Sequence, residues 1–152
     1  IGAACDHGLD VELICDGIHI HPSAVRTTFK MFGDDKIILI SDSMMATGME
    51  DGTYQLGGQD VKVVGNLATL AEGGAIAGSA TNLMDCLRTA VKTMGIPLNS
   101  AVKCATENPA RSIGIYDSYG SISEGKYANV VLLDKDLEIK AVIKKGEILN
   151  HK

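Results

Sequence analysis

The sequence has no apolar run long enough to cross a bilayer, no closely spaced cysteine pair, no basic cluster and no internal repeat, and these absences remove whole classes of function. A spanning helix needs about 20 consecutive apolar residues. The longest runs here, such as Ile37 to Ile40 and Val130 to Leu133, fall far short, so no membrane partner is expected. Cys5, Cys15, Cys86 and Cys104 form no C-x-x-C pair and mostly lie among apolar neighbours. That pattern fits free thiols in a reducing compartment and predicts a cytoplasmic protein. A formal net charge of -5, a pI near 5.3 and scattered lysines exclude a nucleic-acid partner, because phosphate-backbone affinity comes from clustered Lys and Arg. The one local basic run, Lys144-Lys145, reads as a solvated strand edge. The start, Ile1-Gly2-Ala3-Ala4-Cys5-Asp6-His7, has neither an initiator Met nor a basic segment before an apolar signal core, and reads like the interior of a longer chain.

What is present suffices for an ordinary core: 152 residues, 45% of them hydrophobic and 22% charged. Glu12 to Ile20 is apolar and β-branched at first and polar before Pro22, which predicts a buried strand running into a loop with His19 near its end. Ser23 to Phe32 places Ala24, Val25, Phe29 and Phe32 on one helical face, with Gly33 as the stop. Lys36 to Ser43 is a second apolar strand, ending abruptly in Ser41-Asp42-Ser43. Strand, helix and strand in this order predict a parallel pair.

From Thr53 to Ala71 the period drops to two, with turn signals at Gly57-Gly58 and Gly65-Asn66, which predicts a small antiparallel excursion. The Gly-rich loop Gly73 to Ser79 leads to a helix whose Leu83, Leu87, Ala90, Val91 and Met94 form an apolar stripe, with Ser79 as the expected N-cap and Gly95 as the end. A second helix follows over Leu98 to Ala105, then a short one through Ile113 with Pro109 in its first turn. After Gly114 the chain changes character. Asn129 to Leu133 and Glu138 to Lys144 read as strands of a separate small sheet. A two-stranded parallel sheet leaves apolar faces and edges uncovered, so further chain or a partner is expected to cover them.

Two strand ends carry the candidate chemistry: Asp16-Gly17-Ile18-His19-Ile20-His21-Pro22 and Ile40-Ser41-Asp42-Ser43-Met44-Met45-Ala46-Thr47-Gly48. Read from the residues alone, Asp42 is a carboxylate at the end of an apolar strand that calls for a structural or chemical partner, and a loop cap bonding its own backbone is the commoner arrangement for such a residue. His19 and His21, two apart on a strand, face the same side, yet two ligands make a weak metal site. The glycines around Gly78 suit a plain turn before a helix or a close approach of backbone to a ligand, and both readings stand.

Both strand ends resemble those of the N-acetylglucosamine-6-phosphate deacetylases of the amidohydrolase superfamily. So do Ala75-Ile76-Ala77-Gly78-Ser79, the helix Ala105-Thr106-Glu107-Asn108-Pro109-Ala110-Arg111, and the tail from Gly120-Ser121-Ile122 through Gly125-Lys126 to Ala128-Asn129-Val130-Val131. The tail and helix point to the superfamily; the strand ends with the Ala-Gly-Ser loop point to the amino-sugar phosphate branch. The resemblance implies an α/β fold, the C-terminal portion of a (β/α)8 TIM barrel: residues 1–114 would hold its last two strands, the seventh and eighth, with their helices and the excursion at about 53–71. Residues 115–152 would be closing strands of a small β-sandwich. Active sites of such barrels gather at the C-terminal ends of the strands.

The implied reaction is hydrolysis of N-acetylglucosamine 6-phosphate to glucosamine 6-phosphate and acetate. Asp42 would take a proton from metal-bound water and pass it to the departing amine. His19 would bind the sugar phosphate, and Ile76, Ala77 and Gly78 would contact the sugar, with Ile76 near the acetyl group. A divalent ion, zinc or iron, is implied, but its Glu and two His ligands match nothing in this sequence, so the chain alone is expected to be inactive. A homodimer is implied as well. Asp16, His7 and His151 receive no role, His21 a structural one, and Met44 and Met45 a packing one. The alternatives are another amidohydrolase acting on a cyclic amide or amidine, dihydroorotase-like or deaminase-like, and a non-catalytic domain that serves assembly or binding.

Overall fold

A computed structural model describes residues 1–149. The chain is mixed α/β and divides into two compact units, Ile1–Ala105 and Thr106–Lys152, a division that falls upstream of Gly114. In the first unit a short helix α1 (Gly2–Asp6) precedes strand β1 (Val11–Ile14), which pairs in parallel with β2 (Ile37–Ile40) in the register Val11↔Ile37 to Ile14↔Ile40. Helix α2 (Pro22–Phe32) makes the crossover between them.

β1 is shorter than the apolar run suggests. Asp16 folds back to accept the amide hydrogens of Ile18 (2.9 Å) and His19 (3.0 Å), and this local turn competes with the extended ladder. α2 starts where Pro22 cannot donate a hydrogen bond and ends at Gly33, whose amide bonds back to the Phe29 carbonyl at 3.0 Å. Of its expected apolar face, Val25 is fully buried and Phe29 and Phe32 are half-buried, whereas Ala24 is exposed. A 3-10 turn (Asp34–Lys36) then delivers Ile37, Ile38 and Leu39 into the core.

The excursion is a three-stranded antiparallel meander: β3 (Gly52–Leu56), β4 (Gln59–Val64) and β5 (Leu67–Leu70), turning at the two expected glycine sites. Its strands alternate, and the inward set Val61, Val63 and Ala68 packs with Met44, Ala46, Ala77 and Ala80 into a core of its own, flanked by Tyr54 and Leu70.

Helix α3 (Leu83–Lys92) is capped by Asn82, whose side chain accepts the Asp85 amide hydrogen at 3.0 Å, and not by Ser79. Ser79 lies three residues too early and is fully buried, its Oγ accepting the Thr81 amide hydrogen. Cys86, Leu87 and Ala90 form the buried stripe of α3 and Met94 is buried just after the helix ends, while Leu83 is exposed. Helix α4 (Leu98–Ala105) packs against β2 and the 3-10 turn, burying Ala101 and Cys104.

The second unit holds helix α5 (Glu107–Ser112) and an antiparallel sheet of β6 (Val130–Leu133), β7 (Ile139–Lys144) and β8 (Glu147–Leu149). Gly120, at φ +88°, has no room for a side chain: a Cβ there would stand 2.7 Å from the Ala110 Cβ and 3.0 Å from the Thr106 carbonyl oxygen.

No disulfide joins the four cysteines. Burial pushes the thiols of Cys15 and Cys104 up to about 12 and that of Cys86 up to about 11, so almost no thiolate exists near neutral pH. These three are expected to resist a thiol-specific reagent at pH 8 in the native protein and to react on unfolding, measured as label incorporated per residue; rapid native labelling would contradict the packing described. Among the described residues no helix is long and apolar enough to cross a membrane.

Candidate active site

β1 and β2 are parallel, with Ile14 opposite Ile40, so the chain leaves both strands at the same end of the sheet. His19 follows the first exit and Asp42 the second. Asp42 is exposed and has φ +50°, the left-handed region that Asp tolerates better than most residues and that concentrates at functional sites.

That conformation is held from one side by Ser79. The Ser79 amide donates to the Asp42 carbonyl at 3.0 Å, and the Met44 amide donates to the Ser79 carbonyl at 2.8 Å, a parallel bridge between Ser43 and Ser79. Two hydroxyls add to it: Ser43 Oγ donates to the Thr81 carbonyl (2.7 Å) and Thr47 Oγ1 to the Ser79 carbonyl (3.2 Å).

The loop before Ser79 is tied on its other side to the meander. The Leu70 amide donates to the Ala75 carbonyl (2.8 Å) and the Ala77 amide to the Ala68 carbonyl (3.0 Å), so 75–77 acts as a fourth strand. Bridge partners in an antiparallel pair share a face, which puts Ile76 on the side of Thr69, 46% exposed, and turns Ala77 into the meander core. Any ligand contact made by Ala77 would use its carbonyl oxygen. Gly78, at φ +69°, closes the loop, and a Cβ there would meet the Met44 Cβ at 3.4 Å and the Asp42 carbonyl oxygen at 3.8 Å. Gly78→Ala is expected to cost about 1–2 kcal/mol through its left-handed backbone, measured by chemical denaturation; an unchanged midpoint would mean that the loop relaxes freely.

His19 is oriented by a residue that carries no role in the sequence reading. Its Nδ1 stands 2.7 Å from Asp16 Oδ2, and the Asp16 side chain has no exposed surface while His19 keeps 19%. Burial by itself would raise the Asp16 carboxyl. The amide hydrogens of His19 and Ile18 and the imidazole outweigh it and hold the carboxyl below its ordinary 3.8. With Nδ1 directed at the carboxylate, Nε2 is the nitrogen left to meet a ligand. The legible signal for Asp16 was its place three residues before a strand-end histidine.

His21 caps α2: its Nδ1 accepts the Ser23 amide hydrogen at 3.3 Å at the start of the helix and lies 2.7 Å from Ser23 Oγ. Met44 is buried and Met45 is 68% exposed. His7 ends α1, and His151 lies outside the described residues. Among the described residues no three His, Cys, Asp or Glu side chains gather to hold a metal ion.

The profile of the family described as the amidohydrolase family matches residues 5–149. The chain belongs to the amidohydrolase family. Among its relatives, the N-acetylglucosamine-6-phosphate deacetylase of Bacillus subtilis is 40% identical over 97% of this chain and 37% of its own length. The putative N-acetylgalactosamine-6-phosphate deacetylase of Escherichia coli K12 is 36% identical over 91% of this chain and 81% of its own length. Among solved structures, an Asp-to-Ala variant of the N-acetyl-D-glucosamine-6-phosphate deacetylase of Mycobacterium smegmatis, in complex with N-acetyl-D-glucosamine-6-phosphate, superimposes with a TM-score of 0.89 at 38% identity. It covers 96% of this chain and 39% of its own. This amidohydrolase chain therefore spans little more than a third of the Bacillus and Mycobacterium proteins. Deacetylases of the family are metal-dependent.

Proposed function

We propose that this chain is the C-terminal part of an N-acetylglucosamine-6-phosphate deacetylase, which hydrolyses the acetamide of N-acetylglucosamine 6-phosphate to glucosamine 6-phosphate and acetate. In this reading β1 and β2 are the last two strands of a (β/α)8 barrel extending to residue 114, and 115–152 close a small β-sandwich. The observation that carries it is the placement of Asp42, in a left-handed conformation and bonded to the Gly78–Ser79 loop, at the same sheet end as the Asp16–His19 pair.

The roles follow from the chemistry of the groups. The Asp42 carboxylate takes the proton of the attacking water and returns it to the amine as the C–N bond breaks, which turns a poor leaving group into a neutral amine. His19, held by Asp16, donates from Nε2 to the sugar phosphate, an anion that a charge-assisted hydrogen bond suits. Ile76 offers an apolar surface, and the backbone of Ala77 and Gly78 polar contacts, to the acylated sugar. The described residues do not form a donor set for a metal. The divalent ion, zinc or iron, would be carried by residues outside this chain, and the chemistry assigned here is confined to proton transfer and binding. The complete enzyme is proposed to be a cytoplasmic homodimer.

The Escherichia coli relative gives a second reading, in which the substrate is N-acetylgalactosamine 6-phosphate. The two sugars differ at one hydroxyl, so acetate release from each by the full-length, metal-loaded protein separates them through kcat/KM. The gluco epimer is expected to be preferred, and a preference for the galacto epimer would install the second reading. The 152-residue chain alone is expected to release no acetate, and release on addition of zinc would contradict the division of labour.

A further inference from the structure

The meander is more than an insertion between β2 and α3. Its core contains Met44 and Ala46, just after Asp42, together with Ala77 and Ala80, which bracket Gly78 and Ser79, all packed against Val61, Val63 and Ala68 of the meander strands. The hydrogen bonds run the same way: β5 holds 75–77 through Ala68 and Leu70, and Ser79 at the end of that segment holds Asp42 and Met44. Leu56, at the end of β3, reaches over Gly78, its Cδ2 lying 3.6 Å from where a Cβ would stand. The ordered ladder of β2 ends at Ile40, two residues before Asp42.

From this we propose that the β3–β5 meander, and not the parallel sheet, positions Asp42, with Val61, Val63 and Leu56 as positioning residues acting through Ser79. A left-handed non-glycine residue persists only where its surroundings over-determine it, and the surroundings that bond Asp42 belong to the meander's cooperative unit. Loosening the meander core then frees the Asp42 backbone without disturbing β1 and β2. The inference rests on the proposed role of Asp42 for its catalytic consequence, but not for its structural one.

The test compares Val63→Ala, a truncation inside the meander core, and Leu56→Ala, a milder change at a partly exposed site, with Leu87→Ala in α3, a truncation outside that core. All are made in the full-length protein. Hydrogen exchange is followed in peptides covering 41–46 and 76–81, with 36–40 as the internal reference. Both meander variants are expected to speed exchange in the first two peptides, by about tenfold for Val63→Ala, and to leave 36–40 unchanged. They are also expected to lower kcat by about tenfold or more with a smaller change in KM. Leu87→Ala is expected to do neither. Unchanged exchange at 41–46 in both meander variants, or an equal rise in Leu87→Ala, would overturn the proposal. Should the wild-type protein release no acetate from either sugar, the deacetylase reading fails while the exchange result still decides the positioning claim.

Discussion

Asp42→Asn in the full-length protein is expected to lower kcat by about 10²- to 10⁴-fold, the range over which a positioned acid–base group acts, with KM nearly unchanged. Asn is the closest available mimic of the backbone constraint, because it too tolerates the left-handed region occupied at φ +50°. The Ser79–Asp42 and Met44–Ser79 hydrogen bonds use main-chain atoms and survive the substitution. The variant is therefore expected to keep its unfolding midpoint, and the loss reports on proton transfer alone. An Asn variant retaining more than about a tenth of the wild-type kcat would remove Asp42 from the reaction.

Asp16→Asn tests the second half of the site. The carboxylate accepts two amide hydrogens and faces His19 Nδ1 at 2.7 Å, and a hydrogen bond to a charged partner contributes about 1.5–3 kcal/mol. With the amide in its place His19 is expected to lose the orientation that its proposed contact with the sugar phosphate requires. KM is expected to rise about tenfold with a smaller change in kcat, and His19→Ala to raise it similarly with no added effect in the double variant.

The same residue carries a pH signature. Its carboxyl sits below the ordinary 3.8 when folded, so its contribution to stability is complete above that value and is lost as the pH falls through the lower, folded value. Thermal melts from pH 5 down to pH 2 are expected to be less acid-sensitive in Asp16→Asn than in the wild type. Parallel acid limbs would show that Asp16 is not held by the folded state.

The parallel pair was legible because β1 and β2 are nearly continuous apolar runs separated by one amphipathic helix, and the meander because its period of two is broken at Gly57-Gly58 and Gly65-Asn66. The end of β1 was not. The segment Glu12 to Ile20 keeps apolar residues at Cys15, Ile18 and Ile20 beyond Ile14, and the fold of Asp16 onto its own downstream amides stops the ladder. Ser79 was misread as a cap for a related reason: Ser and Asn cap equally well, and the choice of Asn82 depends on Ser79 being drawn into the bridge with Ser43, a contact distant in sequence.

Asp42 and the Gly78 loop were nameable one by one, but their junction through Ser79 is a long-range main-chain pairing that local pattern does not encode. Asp16 shows the opposite case. Its contacts are entirely local, three residues from the histidine it orients, yet Asp16 received no role.

The decisive measurement is a crystal structure of the full-length Asp42→Asn protein with N-acetylglucosamine 6-phosphate bound. The expected result places the carboxamide that replaces the Asp42 carboxylate about 2.6–3.2 Å from the acetamide group or from one water between them, with the phosphate on His19 Nε2 and the sugar against Ile76 to Gly78. A sugar bound elsewhere, or a side chain at position 42 turned away from the acetamide, would contradict the assignment.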